Sequence, residues 1–254
     1  MDSYTGFASL YDLFMDNIPY KEWSDYLIGL LKENNVKDGL ICELGCGTGN
    51  ITEYLAAAGY DMIGIDNSED MLNIALDKKY DSGNDILYLC QDMRQFELFG
   101  TVGAIVSICD SINYITEYED LIKVFKLVNN YLDPSGIFIF DLNTIFKYQS
   151  MGDCVIAENR PEGSFIWENS YYDDSHVNEY DLTIFAKLPE EDNIYAKSEE
   201  THYQKAYTLE EIKTALNAAN LKFITAYDAF THLPVNHKSE RIYVIAMEQG
   251  KKRG

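Results

Sequence analysis

The feature that most constrains this chain is Glu43-Leu44-Gly45-Cys46-Gly47-Thr48-Gly49-Asn50. It follows a short apolar run, Leu40–Leu44, and leads into a helical stretch, Thr52–Ala58, that stops at Gly59. Glycines at alternate positions let the backbone turn tightly and approach a ligand with no side chain in between. The helix start beyond them offers N–H groups that have no partner within the helix. Strand, glycine turn and helix in that order are the beginning of a βαβ unit, which commits the segment to a parallel sheet. Asp61–Ile65 reads as the next strand and ends at Asp66. An acid there can accept both hydroxyl hydrogens of a ribose, so the unit suits a nucleoside-containing ligand at a topological switch point.

The turn is not a dinucleotide fingerprint. Counted from Gly45, the third glycine position of G-x-G-x-x-G falls on Asn50; counted from Gly47, it falls on Thr52. Glu43 also sets an anion beside the loop, which suits a cofactor that carries positive charge. A tight strand-to-helix turn with no ligand is the plain alternative for a glycine motif taken by itself.

The alternation continues. Ser68 can N-cap a helix with Glu69 and Asp70 in its first turn and Lys78 and Lys79 in its last, signs that match the helix dipole. Ile86–Cys90 and Ala104–Cys109 read as strands. Thr116-x-x-Glu119 reads as a capping box opening a helix through Leu132, Asp133-Pro134-Ser135-Gly136 stops it, and Ile137–Leu142 is another buried strand. Strands alternating with helices over residues 40–142 predict a doubly wound, mostly parallel sheet with helices on both faces and right-handed crossovers.

Two flanking regions differ. Residues 1–36 read as helical, with Phe7, Leu10, Tyr11 and Phe14 on one face and, after Pro19, Trp23, Tyr26, Leu27, Leu30 and Leu31 on another. From Phe165 to Tyr207 there are strand signals and no helix. Tyr180, Leu182, Ile184 and Ala186 alternate with their neighbours, and Asp173-Asp174-Ser175 and Pro189-Glu190-Glu191-Asp192-Asn193 supply turns. This predicts an antiparallel meander of about three strands. Thr208-x-x-Glu211 is a second capping box, and Leu221–Phe230 and Arg241–Met247 close the chain as a hairpin. The expected organisation is an N-terminal helical lid over 1–36, an α/β domain over 37–150 and 207–254, and an antiparallel insert over 151–206 on the acceptor side.

Composition narrows the partners. With 20 Lys+Arg against 42 Asp+Glu the net charge is −22, which repels phosphate backbones and anionic lipid surfaces. Nucleic acid is therefore disfavoured. The only basic run, Lys251-Lys252-Arg253, reads as a solvated, fraying tail. Cys42, Cys46, Cys90, Cys109 and Cys154 are odd in number, widely spaced and lack CxxC, as expected of reduced core residues in a cytoplasmic protein. No metal-ligand spacing joins them to the four His residues, so no metal is expected. The N-terminus lacks the apolar region of a signal peptide, and no apolar run approaches the ~18 residues that span a membrane. The expected state is a monomer or a homodimer.

ICELGCGTGN at 41–50 resembles motif I of the class I S-adenosylmethionine-dependent methyltransferases. GIDNSEDMLNIA at 64–75 is similar to their second motif, CQDM at 90–93 to the acidic adenine motif, and ICDSINYI at 108–115 to motif IV. FASLYDLFM at 7–15 and the Tyr-rich insert further resemble a bacterial subgroup of small-molecule type, laid out like sugar N-methyltransferases and glycine N-methyltransferase. The resemblance implies a seven-stranded Rossmann-like fold and S-adenosylmethionine as cofactor, leaving as S-adenosylhomocysteine. It implies that Gly45, Cys46 and Gly47 pass close to the methionyl part, with Glu43 near its ammonium or the loop amides. It places Asp66 at the ribose, Met71 on one adenine face, Asp92 at the adenine amino group with Met93 flanking the ring, and Cys109 or Asp110 near the sulfonium. Tyr11 would close over the cofactor.

Methyl transfer from a sulfonium is an in-line displacement, so the protein must align the acceptor, exclude water and, where needed, remove one proton. No conspicuous triad is expected, and no G-x-S-x-G, HExxH or Walker lysine is present. The acceptor is expected beyond Asp110–Tyr114 and Leu142–Thr144. Asn113, Tyr114 and Asn143 would orient it, and Trp167, Tyr171, Tyr180, His202 and Tyr203 would roof it. His202 is the best side-chain base, since an imidazole titrates near neutrality; the plain alternative is a surface histidine on a strand. D-S-I-N-Y lacks the N-P-P-[YF] context of exocyclic-amine methyltransferases, which counts against a DNA adenine or protein glutamine acceptor. A cationic or neutral small molecule is expected, attacking through nitrogen or oxygen. An RNA methyltransferase, a non-catalytic cofactor-binding partner and a nicotinamide oxidoreductase are the other readings.

Overall fold

The computed structural model describes residues 8–188 and 194–252. Helices α1 (Ala8–Phe14) and α2 (Tyr20–Glu33) precede an alternating series: β1 (Leu40–Leu44), α3 (Asn50–Ala57), β2 (Asp61–Asp66), α4 (Glu69–Ser82), β3 (Ile86–Cys90), β4 (Val102–Ser107), a 3-10 turn (Ser111–Tyr114), α5 (Tyr118–Tyr131) and β5 (Leu132–Asn143). After α6 (Ile145–Met151) come four strands, β6 (Cys154–Arg160), β7 (Gly163–Tyr172), β8 (Val177–Lys187) and β9 (Tyr195–Lys205). Then α7 (Leu209–Ala218), β10 (Leu221–Asp228) and β11 (Arg241–Glu248) complete the chain. Seven strands form one sheet in the order β10-β11-β5-β4-β1-β2-β3, parallel except for β11, which runs antiparallel to β5 and β10. This is the doubly wound fold expected from the sequence.

Strand period sets the layers. Cys42, Leu44, Ile105, Phe138 and Phe140 share a core with Leu121, Val124 and Phe125 of α5 and Ile212 and Leu216 of α7. The alternate residues Ile41, Ala104, Val106, Ile137 and Ile139 share the opposite core with Leu27, Leu30 and Leu31 of α2 and Ile51 and Leu55 of α3. Each fully buried large apolar side chain contributes roughly 1.5–3 kcal/mol relative to exposure. Glu43 follows the parity of Ile41 and so faces α3 rather than α5.

The caps test the local reading. Ser68 caps α4 by accepting from the Met71 amide at 3.3 Å, and the Thr208–Glu211 box is complete, with bonds of 3.2 and 2.7 Å. The Thr116–Glu119 box does not form: α5 starts at Tyr118 with Glu117 in the cap position, which leaves Thr116 one residue out of register. Asp133–Gly136 likewise does not separate α5 from a strand, because β5 already begins at Leu132.

The second sheet has four strands, β6-β7-β8-β9, rather than three. The missed strand β6 lies at the edge and is largely exposed on both faces, so it carries no alternation to read. The C-terminal lysines are not all fraying: Lys251 Nζ donates to the Asn130 carbonyl at 2.7 Å and to the Leu132 carbonyl. Phe7, the turn at Pro189–Asn193 and Arg253 lie outside the described residues. Among the described residues no helix is long and apolar enough to cross a membrane.

Candidate active site

Strand order reverses between β1 and β4, since the chain leaves β1 for β2 and β3 on one side and returns through β4 to β5 on the other. The crevice of such a sheet opens beyond the strand C-termini at that point. The glycine loop forms its floor. Gly45, Gly47 and Gly49 have φ of +72°, +53° and +77°, a region that L side chains rarely adopt. The Gly45 and Cys46 amides donate to the Ile65 carbonyl at 2.8 and 3.0 Å, pinning the loop to β2. The Gly47 amide donates to Asp66 Oδ2 at 2.8 Å, and the Ser68 amide to Asp66 Oδ1 at 2.9 Å. Asp66 thus ties the loop to the start of α4, and with four lone pairs its carboxylate keeps acceptor capacity beyond its backbone amides. Burial pushes its carboxyl up, opposed by these amides. A Cβ on Gly47 would meet open space, whereas one on Gly45 would strike the Ser111 hydroxyl at 2.5 Å. Gly47 therefore borders the crevice, and Gly45 is where the turn after β4 packs down.

Glu43 is buried under the loop and accepts a hydrogen bond from the Thr52 hydroxyl. It does not take the Gly45, Cys46 or Gly47 amides, which Ile65 and Asp66 satisfy instead. Burial pushes its carboxyl up to about 8. The Cys46 thiol is buried beneath the loop, close to Gly64, so only the backbone of that residue borders the crevice. Met93 reaches back toward Gly45 and is half-buried. Asp92 accepts from Arg94 Nε at 2.9 and 3.0 Å, an ion pair that contributes to holding its carboxyl below the usual range against a larger opposing effect of burial. Met71 does not wall the crevice. It is 2% exposed and packs with Leu10, Phe14, Phe165, Leu182 and Ile184 in the seam between α1, α4 and the second sheet.

Beyond β4 the backbone takes two consecutive left-handed residues, Cys109 (φ 61°) and Asp110 (φ 53°). Their amides donate to the Asp141 carboxylate at 3.3 and 2.7 Å. The Ser111 hydroxyl then shares its one hydrogen between the Ile108 carbonyl at 2.9 Å and the Gly45 carbonyl at 3.2 Å, which sets this turn against the glycine loop. Asn113 is taken up in the packing of the turn. It is 0% exposed, donates to the Asn143 and Lys205 carbonyls at 3.1 and 2.9 Å, and accepts from the Asn143 amide at 2.9 Å. Both amide hydrogens and one lone pair of its oxygen fix the 3-10 turn to β5 and β9, and Asn143 is the other half of that clamp.

The second sheet supplies an aromatic wall. Trp167 stacks on Tyr180 at 4.4 Å, and Tyr180 stacks on His202 at 4.8 Å. The Tyr114 and Tyr180 hydroxyls bond to each other. His202 is 3% exposed, not a surface histidine, and Glu200 Oε2 accepts from its Nε2 at 3.2 Å. Trp167 Nε1 and the Tyr171 hydroxyl are buried without a partner among the described residues, so this wall retains hydrogen-bonding capacity. Tyr203 is not part of the roof. It lies on the opposite face of β9, 48% exposed, and its hydroxyl turns to Glu179.

Comparison with known proteins decides the family. A family model for a methyltransferase domain matches residues 41–136. YqeM of Bacillus subtilis, whose assignment as a methyltransferase is provisional, is 35% identical over 247 residues, 96% of this chain and 97% of that one. A crystal structure of an S-adenosylmethionine-dependent methyltransferase from Clostridium acetobutylicum matches with a TM-score of 0.85 at 32% identity, over 97% of this chain and 99% of that one. The chain belongs to the S-adenosylmethionine-dependent methyltransferases. The sugar N-methyltransferase KedS8 from Streptoalloteichus shares the fold, with a TM-score of 0.77 at 15% identity over 94% and 93% of the two chains.

The residues of this methyltransferase fit its cofactor. Gly47 presents bare backbone to open space, Asp66 has acceptor positions to spare at the end of β2, and the buried acids of the crevice suit a cationic nucleoside. The structure also brings in residues that sequence reasoning missed. Asp12 of α1 accepts from Thr48 Oγ1 at 2.8 Å and Asn50 Nδ2 at 2.9 Å, and pairs with Lys78 of α4 at 2.6 Å. Tyr20 bonds to Tyr11 and Asn50, so α1 and α2 both latch onto the loop, and burial pushes the Tyr20 hydroxyl up. Asp12→Ala is expected to loosen α1, giving faster proteolysis at the N-terminal helix and a several-fold weaker cofactor affinity by calorimetry. Unchanged proteolysis and affinity would show that the apolar seam alone holds the helix. Glu200 could have been found from its parity with His202 two residues on.

Proposed function

We propose that this methyltransferase transfers a methyl group to a nitrogen or oxygen of a small molecule held between the Cys109–Tyr114 turn and the second sheet. The observation that carries this reading is the Trp167–Tyr180–His202 stack, its Tyr180 and His202 buried, with Tyr114 and Glu200 against it, at the mouth of the switch-point crevice. In this reading α1 and α2 are the lid, and the four-stranded sheet forms the acceptor side. S-adenosylmethionine, when bound, supplies a methyl group activated by its sulfonium charge. Asp66 holds the ribose, Asp92 and Met93 the adenine, and the backbone of Gly45–Gly47 with Glu43 the methionyl end. Tyr11 closes over the site, and the Cys109–Asp110 backbone lines the reacting centre. Tyr114 and Tyr180 position the acceptor in line with the breaking carbon–sulfur bond. His202 takes the proton that the acceptor gives up, and Glu200 stabilises the imidazolium that results. The aromatic faces also favour a cationic or planar acceptor, and a net charge of −22 weighs against RNA.

The test uses methyl-labelled S-adenosylmethionine and the full chain, offered separately the low-molecular-weight filtrate of a cell extract and its RNA. Label on a small molecule, lost in His202→Ala with cofactor affinity retained, is the expected result. Label in the RNA alone would overturn the acceptor class.

A further inference from the structure

Arg241 joins three segments at the mouth of the crevice. It is the first residue of β11, in register with Asn143 of β5, and its guanidinium lies 5.1 Å over the Trp23 ring of α2. Nη1 pairs with Asp141 Oδ2 at 2.7 Å, and Nη2 with Asp110 Oδ1 at 2.6 Å. The same two carboxylates do further work. Asp141, fully buried, accepts both amides of the left-handed Cys109–Asp110 turn. Asp110 Oδ2 accepts from Gln204 Nε2 of β9 at 2.6 Å, and Gln204 in turn accepts from the Tyr148 hydroxyl at 2.9 Å. One cation therefore faces two anions beside the topological switch point. The turn they hold is fastened to the glycine loop through Ser111. With both carboxylates ionised, the cluster carries one net negative charge on the β4 side of the crevice.

We propose that Arg241 is a positioning and specificity-determining residue: by neutralising one of the two carboxylates, it sets how strongly the site prefers the cationic cofactor over its neutral thioether product. This rests on the reading that the cofactor occupies the switch point with its sulfur toward Cys109–Asp110. Substrate and product differ there by one positive charge and one methyl group. A net charge of −1 attracts the sulfonium; −2 would hold it more firmly, and zero would leave only the preference that Glu43 and Asp66 supply. At an effective dielectric near 20, a unit charge about 12 Å away changes an affinity by about tenfold, and a nearer one by more. The ratio of product to cofactor dissociation constants isolates this term, because losses of fit common to both ligands cancel.

The experiment measures that ratio by calorimetry for the full chain, with S-adenosylmethionine and S-adenosylhomocysteine, in wild type, Arg241→Met and Asp110→Asn. Arg241→Met raises the local charge to −2 and is expected to increase the ratio about fivefold or more, even where both affinities fall. Asp110→Asn reduces it to zero and is expected to lower the ratio by a similar factor. A purely structural role would weaken both ligands alike in both variants. If Arg241→Met does not fold, Asp110→Asn decides alone, since it keeps the Arg241–Asp141 pair. A ratio unmoved in Asp110→Asn, or moved the same way in both variants, overturns the proposal while leaving the cofactor reading intact. A wild-type chain that binds neither ligand overturns that reading and this proposal with it.

Discussion

Asp66→Ala is expected to weaken S-adenosylmethionine binding by roughly ten- to a hundredfold, corresponding to about 1–3 kcal/mol for removing an acceptor and stranding its donors. Two effects combine. The ribose loses its carboxylate, and the Gly47 and Ser68 amides lose the oxygens that order the loop against α4. Asp66→Asn separates them, because one amide oxygen can keep a single backbone bond while the charge is gone; an intermediate affinity is expected. Calorimetry on the three chains decides. An unchanged affinity in Asp66→Ala would mean that the ribose is held elsewhere.

Glu43→Gln is expected to change how stability depends on pH. In the unfolded chain a glutamate ionises near ~4.3. In the folded chain burial pushes Glu43 up to about 8, opposed by the Thr52 hydroxyl. Between these values the native state holds a proton that the unfolded state has lost, so stability falls as pH rises. The loss is complete above the folded value and on the order of 5 kcal/mol at most. Glutamine has no proton to lose. The variant is therefore expected to match wild type near pH 4 and to exceed it increasingly toward pH 9 in denaturant titrations. Identical pH profiles would show that Glu43 is not a buried, strained anion. The same substitution removes the charge that favours a cationic ligand, so S-adenosylmethionine affinity at pH 8 should drop by about tenfold, while the apoprotein becomes more stable. Opposite effects on fold and ligand are the mark of a group retained for binding.

What could be read from the sequence, and what could not, follows from distance along the chain. The pairing of Asp66 with the glycine turn was legible because the turn and the end of the next strand lie within one βαβ unit, and the Gly47 amide does donate to that carboxylate. The sheet and its two faces were legible because strand and helix periods differ. Tyr203 was misassigned to the roof although its neighbour His202 faces inward; successive strand residues point to opposite faces, and the register was not known. The clamp that Asn113 makes with Asn143 and Lys205 was not legible, because a buried amide and an exposed one look alike in a sequence. Arg241 had no local signal at all. Its partners Asp141 and Asp110 lie 100 and 131 residues away, and only the antiparallel pairing of β11 with β5 brings them together.

The most direct measurement is a crystal structure with S-adenosylhomocysteine bound. The nucleoside is expected beyond the C-termini of β1 and β4, with ribose hydroxyls on Asp66, adenine beside Asp92 with the Arg94 side chain displaced, and sulfur facing Tyr114 and the Tyr180–His202 stack. A nucleoside seated elsewhere, or a sulfur walled off from those aromatic side chains, would contradict that placement.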